Sequence, residues 1–304
     1  MSSSLEPGDL AEVLRLLAAA VAADGVRPLS EEAELRLQHG GPAGGGDVVV
    51  RDGADLAGYA RYDAGADGGV EAELVVHPSF RRRGHGTTLM GRLLELTGPR
   101  PLSIWAHGDL PGSAELLAPH GYARARVLLQ MRRDLAGVDP EPRPVLPEGV
   151  HVRAFRPGRD EEALLRVNAR AFAAHPEQGS WTPEDLRLRE AEPWFDPDGF
   201  LLAWRGIPDD GGVLLGSHWT KIHLPGDVGD EPVGEVYVLG IDPDAQGLRL
   251  GRALTDLGLA HLRARGPKEV LLYVEEENEA AVRLYEGRGF GRFSVDVSRR
   301  RDPR

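Results

Sequence analysis

Gly234-Glu-Val-Tyr-Val-Leu-Gly-Ile-Asp-Pro243, running on into Asp244-Ala-Gln-Gly-Leu-Arg-Leu-Gly-Arg252, is the stretch that decides how this chain folds. Its first part is an apolar run with the length and branched residues of a buried strand. Its second part turns on glycine, and helical spacing of apolar residues then continues over Leu250–Ala264. A helix starting at a loop beyond a strand aims backbone N–H groups and the positive end of its dipole at one spot, which suits an anion. The dinucleotide-binding G-x-G-x-x-G and the P-loop G-x-x-x-x-G-K-S/T are both missing from the chain, so those two forms of the device do not fit.

Downstream of this stretch come a strand at Val270–Val274, a helix at Ala280–Tyr285 that follows Asn278, then Gly289-Phe290 and a closing strand at Phe293–Val297. Upstream the same order appears once more. A strand Ala72-Glu-Leu-Val-Val-His-Pro78 leads into Arg81-Arg-Arg-Gly-His-Gly86 and a helix over Thr87–Leu96. A strand at Ser103–His107, a short helix near Ala114–Ala118, Gly121-Tyr122 and a strand at Val127–Arg132 complete that copy. Ahead of the first copy lie two helical segments, Leu10–Ala23 and Glu32–Gln38, and a hairpin of Asp47–Arg51 with Leu56–Tyr62. Ahead of the second lie a strand Val150–Phe155, a helix Asp160–Ala173 and a hairpin of Phe200–Trp204 with Val213–Thr220. Gly137–Gly149 holds four prolines, which deny it both helix and interior strand, so it reads as a linker. The expected organisation is an α/β (α+β) chain with domains over 1–136 and 150–304.

At 304 residues the chain is long enough for two cores, and its 41% hydrophobic and 28% charged residues are those of a globular protein. A formal net charge of −12 argues against nucleic acid as a partner. The absence of cysteine excludes disulfides, thiolate metal sites and a cysteine nucleophile. No apolar run is long enough to span a membrane and the first residues do not read as a signal peptide, so a cytoplasmic protein is expected. His175, His218 and His223 match no metal-ligand spacing, and no metal is expected. Arg81–Arg83 could be a solvated turn, but next to Gly84-His-Gly86 at a helix start they read better as a small anion site.

These segments resemble the GCN5-related N-acetyltransferase (GNAT) superfamily, twice over. His175-Pro-Glu-Gln-Gly, Trp194-Phe-Asp-Pro-Asp-Gly, His218-Trp-Thr-Lys and Gly234-Glu-Val-Tyr-Val-Leu-Gly resemble more narrowly the tandem-domain mycothiol synthases of actinobacteria. The resemblance implies, in each half, a mixed, mostly antiparallel sheet splayed at its central strand and flanked by helices. It implies acetyl-CoA as co-substrate and transfer of its acetyl group to the cysteinyl amine of a small molecule, desacetylmycothiol, by a monomer. Another small amine, amino acid or peptide N-terminus, or an acyl-CoA-sensing role without catalysis, are the alternatives.

Amine acetylation needs a base for the ammonium proton, a donor for the thioester carbonyl and a proton for the departing thiolate. Glu235 on the central strand is the candidate base, against the reading of a solvent-facing strand glutamate. Tyr285 is the candidate acid, against the reading of a packed aromatic on an amphipathic helix. The resemblance places acetyl-CoA against strand residues Leu239, Gly240 and Ile241, the loop Gln246, Gly247, Leu248, Arg249, Leu250, Gly251 and Arg252, and the segment Asn278, Glu279, Ala280, Ala281, Val282 and Arg283. In the first half the corresponding positions are Leu74, Val75 and Val76, then Arg82, Arg83, Gly84, His85, Gly86 and Thr87. It also assigns the acceptor to Glu31, Glu177, Lys221, Glu235 and Tyr273. Two departures stand out. Arg249 occupies the place of the motif's first glycine, and in the first half Val70 and Leu117 replace Glu235 and Tyr285, so that half is expected to bind acetyl-CoA without turning it over.

Overall fold

The computed structural model describes residues 5, 8–40, 44–65, 68–137, 144–173, 175, 178–208 and 210–302. The chain forms two compact units, residues Met1–Leu128 with Ser294–Arg304, and residues Leu129–Phe293. The division differs from the expected 1–136 and 150–304: the last strand of the chain belongs to the first unit, and Leu129–Asp134 to the second. Of the expected linker, residues 138–143 lie outside the described residues and 144–149 form neither helix nor strand.

In the first unit, α1 (Asp9–Asp24) buries Val13, Leu16, Leu17 and Ala20, a helical stripe that packs on Tyr59 and Val75. It stops at Gly25, whose φ of 68° a side chain would strain. The short α2 (Glu31–His39) starts where Ser30 Oγ accepts the Ala33 N–H at 3.2 Å. Strands β1 (Gly46–Asp52), β2 (Asp55–Ala64) and β3 (Val70–Val76) are antiparallel neighbours, and β4 (Leu102–Ala106) runs parallel to β3. Residues 297–301 of β11 (Gly291–Arg301) pair antiparallel with β4, from Val297↔Ala106 to Arg301↔Leu102. The other face carries α3 (His85–Thr97), whose Leu89, Met90 and Leu93 are fully enclosed. Each is worth about 1.5–3 kcal/mol by burial. The short α4 (Pro111–Leu117) follows β4, three residues longer at its start than expected because Pro111 supplies a preset first turn.

The second unit repeats the plan. Its sheet runs in the order β5-β10-β9-β8-β7-β6, from β5 (Ala123–Asp134), β10 (Glu269–Glu275), β9 (Val233–Ile241), β8 (Val213–His223), β7 (Phe200–Arg205) and β6 (Val150–Ala154). Helices α5 (Glu161–Ala171) and α6 (Pro183–Glu190) cover one face and α7 (Leu250–Arg265) the other. Aromatic stacking fills the α5–α6 side, with Trp219 fully buried at 4.2 Å from Phe200 and 5.2 Å from Tyr237. In each unit a parallel pair of strands stops short of the strand ends. β3 and β4 are in register only to Glu73↔Trp105, and β9 and β10 only to Val236↔Leu272. Beyond those points the strands splay, and the cleft so opened faces the Gly-bearing loop and the following helix.

Candidate active site

The central strand of the second unit is bulged. Trp219 faces Val238 and Thr220 faces Val236, so Tyr237 stands unopposed. An extra residue bends a strand and re-aims the side chains around it, which is why bulges collect at functional sites. The equivalent pair in the first unit, β2 with β3, runs uninterrupted from Gly58↔Val76 to Ala64↔Val70.

Just before the bulge, Glu235 lies directly across from Lys221. Both are nearly enclosed, at 7% and 6% exposure, so Glu235 is no solvent-facing strand residue. His223 Nε2 is 2.7 Å from Glu235 Oε2. Lys221 Nζ sits 4.4 Å from the ring centre of Trp194 and 5.5 Å from that of Tyr237, two cation–π contacts. Tyr237 is itself held, its hydroxyl accepting from Arg189 Nε at 2.9 Å. On β10, Gln130 Nε2 donates to the Tyr273 hydroxyl at 2.6 Å, and Arg132 ties Gln130 to Glu269. Three of the expected acceptor residues, Lys221, Glu235 and Tyr273, therefore stand on three adjacent strands. Glu31 is on the first turn of α2 in the first unit, and Glu177 lies outside the described residues. Sequence reading missed His223, Gln130 and Arg189. The first of these was considered only as a metal ligand, and among the described residues no group of His, Asp or Glu could hold a metal.

Tyr285 is on α8 (Glu279–Glu286), which begins where Asn278 Oδ1 accepts the Ala281 N–H at 3.1 Å. Its ring meets Phe290 edge-on at 5.8 Å, and burial pushes its phenol well above the usual value, so it stays protonated at neutral pH. No hydrogen bond engages its hydroxyl among the described residues.

The two Gly-bearing loops share one backbone shape. In the first unit Arg82 (φ 63°) and Gly84 (φ 89°) are left-handed, and in the second Gly247 (φ 83°) and Arg249 (φ 59°). Arginine and glycine have simply changed places. The turn survives Arg249 at a cost of about 1–2 kcal/mol for a left-handed side-chain-bearing residue. Their charges differ more. Arg81 is locked to Asp24 through two bonds of 2.7 and 2.6 Å, Arg82 pairs with Glu115, and Arg83 lies over Phe80 with Asp52 at 3.7 Å. Arg249 and Arg252, at the start of α7, are exposed and have no carboxylate partner among the described residues.

The first unit holds a cavity of about 750 Å³ in its splay, walled by Leu74, Val75, Val76, Arg82, Gly84, His85, Gly86 and Thr87; Arg83 is not part of the wall. Leu117 is 1% exposed within an apolar cluster, so no phenol stands at the place of Tyr285. The extra residue Tyr237 in β9 makes Glu71, and not the expected Val70, the counterpart of Glu235, and Glu71 is not part of the cavity wall. His107, another wall residue, has Asp296 Oδ2 at 3.0 Å and Glu73 Oε2 at 3.6 Å. Burial alone would lower its pKa, but hydrogen bonds to Asp296 and Glu73 and the charge of both carboxylates outweigh it and raise the imidazole to about 10.

A model of the acetyltransferase (GNAT) family matches residues 15–111 and 166–290, one match in each half. The chain belongs to the GNAT acetyltransferase family. Two relatives, both named mycothiol acetyltransferase, are similar over almost their whole length. The one from Geodermatophilus obscurus is 72% identical over 98% of this chain and 96% of its own. The one from Thermobispora bispora is 55% identical over 97% of each. Among solved structures, a tandem GNAT protein from the clavulanic acid biosynthesis pathway superposes with a TM-score of 0.73, at 23% identity, over 99% of this chain and 96% of its own. The splayed mixed sheet repeated in both units is thus the GNAT fold in tandem.

Proposed function

We propose that this GNAT acetyltransferase acetylates the cysteinyl amine of desacetylmycothiol with acetyl-CoA, and that the chemistry takes place in the second unit. The observation that carries the acceptor is the 72% identity, along 98% of the chain, to a protein named mycothiol acetyltransferase. The location rests on the enclosed Glu235 beside the bulge of β9, a bulge that the pairing of β2 with β3 in the first unit lacks.

The pieces suit the chemistry. Acetyl-CoA brings an activated acetyl group and a pyrophosphate. The N-terminus of α7, with Gly247 and Arg249 in left-handed conformation and the exposed Arg249 and Arg252, suits the pyrophosphate. Backbone groups of Leu239–Ile241, released by the splay, are available to the pantetheine arm and the thioester carbonyl. Glu235 takes the ammonium proton, the freed amine attacks, a C–N bond forms and the C–S bond breaks. Tyr285 hands its proton to the departing thiolate and regains one from the attacking nitrogen, which sheds its second proton to become the amide. Lys221 and Tyr273 orient the polyhydroxylated acceptor. In the first unit the cavity binds acetyl-CoA without turnover.

Mass spectrometry of desacetylmycothiol incubated with the protein and acetyl-CoA tests the reading. Gain of one acetyl group on the amine is expected, and acetylation of other small amines with desacetylmycothiol left intact would overturn it. Calorimetric titration with CoA tests the first unit: two sites per chain are expected, and a single site removed by altering the α7 loop would sink that part.

A further inference from the structure

We infer that His223 is a positioning residue for acetyl transfer, donating its Nε2–H to Glu235 Oε2 and so holding the base in its working place and charge state; this rests on the proposed reaction. The two groups are 2.7 Å apart and both enclosed, His223 at 4% exposure and Glu235 at 7%. An ionised carboxylate only accepts hydrogen bonds, so Nε2 must be the protonated nitrogen when Glu235 is ready to act as a base. A carboxylate withdrawn this far from water pays a heavy desolvation cost unless donors replace the lost solvent. A short bond from imidazole supplies that replacement, and it is stronger than one between neutral groups. The proton transfer balances within the pair of reactants: the N–H bond of the ammonium breaks, an O–H bond forms on Glu235, and no other reactant is required.

The contact is set by the sheet register. Lys221 faces Glu235 directly and His223 faces Val233, so His223 is the diagonal neighbour of Glu235, two residues on from Lys221. Nothing in the fold itself demands the pair. In the first unit β2 and β3 pair with no histidine in either strand, so a sheet of this plan forms without the imidazole. Imidazole and carboxylate come together where acetyl transfer is placed.

The test compares His223→Gln, whose side-chain amide can reach the place of Nε2, with His223→Asn, whose amide reaches only that of Nδ1, and with His223→Phe. Steady-state rates are measured with acetyl-CoA and desacetylmycothiol in the wild-type and Glu235→Gln backgrounds. His223→Phe and His223→Asn are expected to lower kcat by about 10–100-fold, the range for groups that orient a functional partner, with KM for both substrates within about twofold. His223→Gln is expected to restore most of the rate. In the Glu235→Gln background all three should change kcat less than about threefold, because the residue acts only through Glu235. Equal rates for the Gln and Asn variants, or full additivity with Glu235→Gln, would overturn the inference. Should His223→Phe fail to fold, the Gln–Asn pair still decides it. A wild-type protein inactive on desacetylmycothiol would instead count against the proposed reaction.

Discussion

Replacing Glu235 by glutamine keeps its size and its place on β9 and removes only the ability to take a proton. With proton transfer worth about 10²–10⁴-fold in rate, kcat at neutral pH should fall by that much while acetyl-CoA affinity holds; an unchanged rate would remove Glu235 from the mechanism. Arg249 offers a test in which two effects oppose. Arg249→Gly relieves a left-handed backbone worth about 1–2 kcal/mol, but glycine gains freedom in the unfolded chain worth about 0.5–1 kcal/mol. Stability should therefore rise by no more than about 1.5 kcal/mol in denaturant titration. The KM for acetyl-CoA should nonetheless rise several-fold, because an exposed cation has been taken from the start of α7. A lower KM would show that the close approach of backbone matters more than the charge. At this scale the sequence was partly readable. Glu235 and Tyr285 stand at fixed offsets from the loop and from Gly289-Phe290, so a motif could find them. His223 could not be found that way, since its link to Glu235 depends on a cross-strand register that no local spacing encodes.

Helices and strands differ in how legibly they were written. The long apolar stripes of α1, α3 and α7 were read to within a few residues. Helix α6 was missed, because it buries only Leu186 and Arg189 and so has almost no apolar period. Its start was nonetheless spelled out: Thr182 and Asp185 cap each other reciprocally, a sequence signature followed by Pro183. Strands β5 and β11 run longer than expected, over Ala123–Asp134 and Gly291–Arg301, since their ends are rich in arginine rather than apolar residues. Those arginines are nevertheless engaged. Arg126 lies over Trp105, Arg299 binds Asp109 at 2.7 Å and Arg301 lies over Tyr122. Helix α7 makes a prediction of its own. A methyl group on Gly258 would come within 2.1 Å of His218 Nε2, and His218 is fully buried. Glycine to alanine favours a helix by about 1 kcal/mol, whereas overpacking costs about 1–3 kcal/mol where neighbours cannot yield. Gly258→Ala should therefore destabilise the second unit in thermal melting, and a raised Tm would show that the ring can move aside.

Over the whole molecule the tandem plan was visible because each half repeats strand, loop, helix and Gly-aromatic pair in one order. What the sequence could not give was ownership of the closing strands, since a linker rich in proline looks like a boundary whichever side its neighbours join. Asp296, on the last strand, sits against His107 of the first unit, and this pair makes stability depend on pH. The folded imidazole, raised to about 10, lies above the ordinary value of about 6.5. Its contribution is fully present below about 6.5 and fades as pH climbs toward 10. Asp296→Asn should lower the His107 pKa, followed by NMR titration, and cost about 1.5–3 kcal/mol at pH 7, as for a hydrogen bond to a charged group. It should also flatten the alkaline loss of stability; a titration curve identical to wild type would refute the assignment. The same strand sets a timetable for the newborn protein. Leaving the ribosome from its amino end, the first unit emerges almost entirely before the second, yet it must wait for residues 294–301 before β4 gains its second neighbour and His107 the carboxylate of Asp296. The part made first is the part finished last, and until then it leaves an open sheet edge for chaperones to guard.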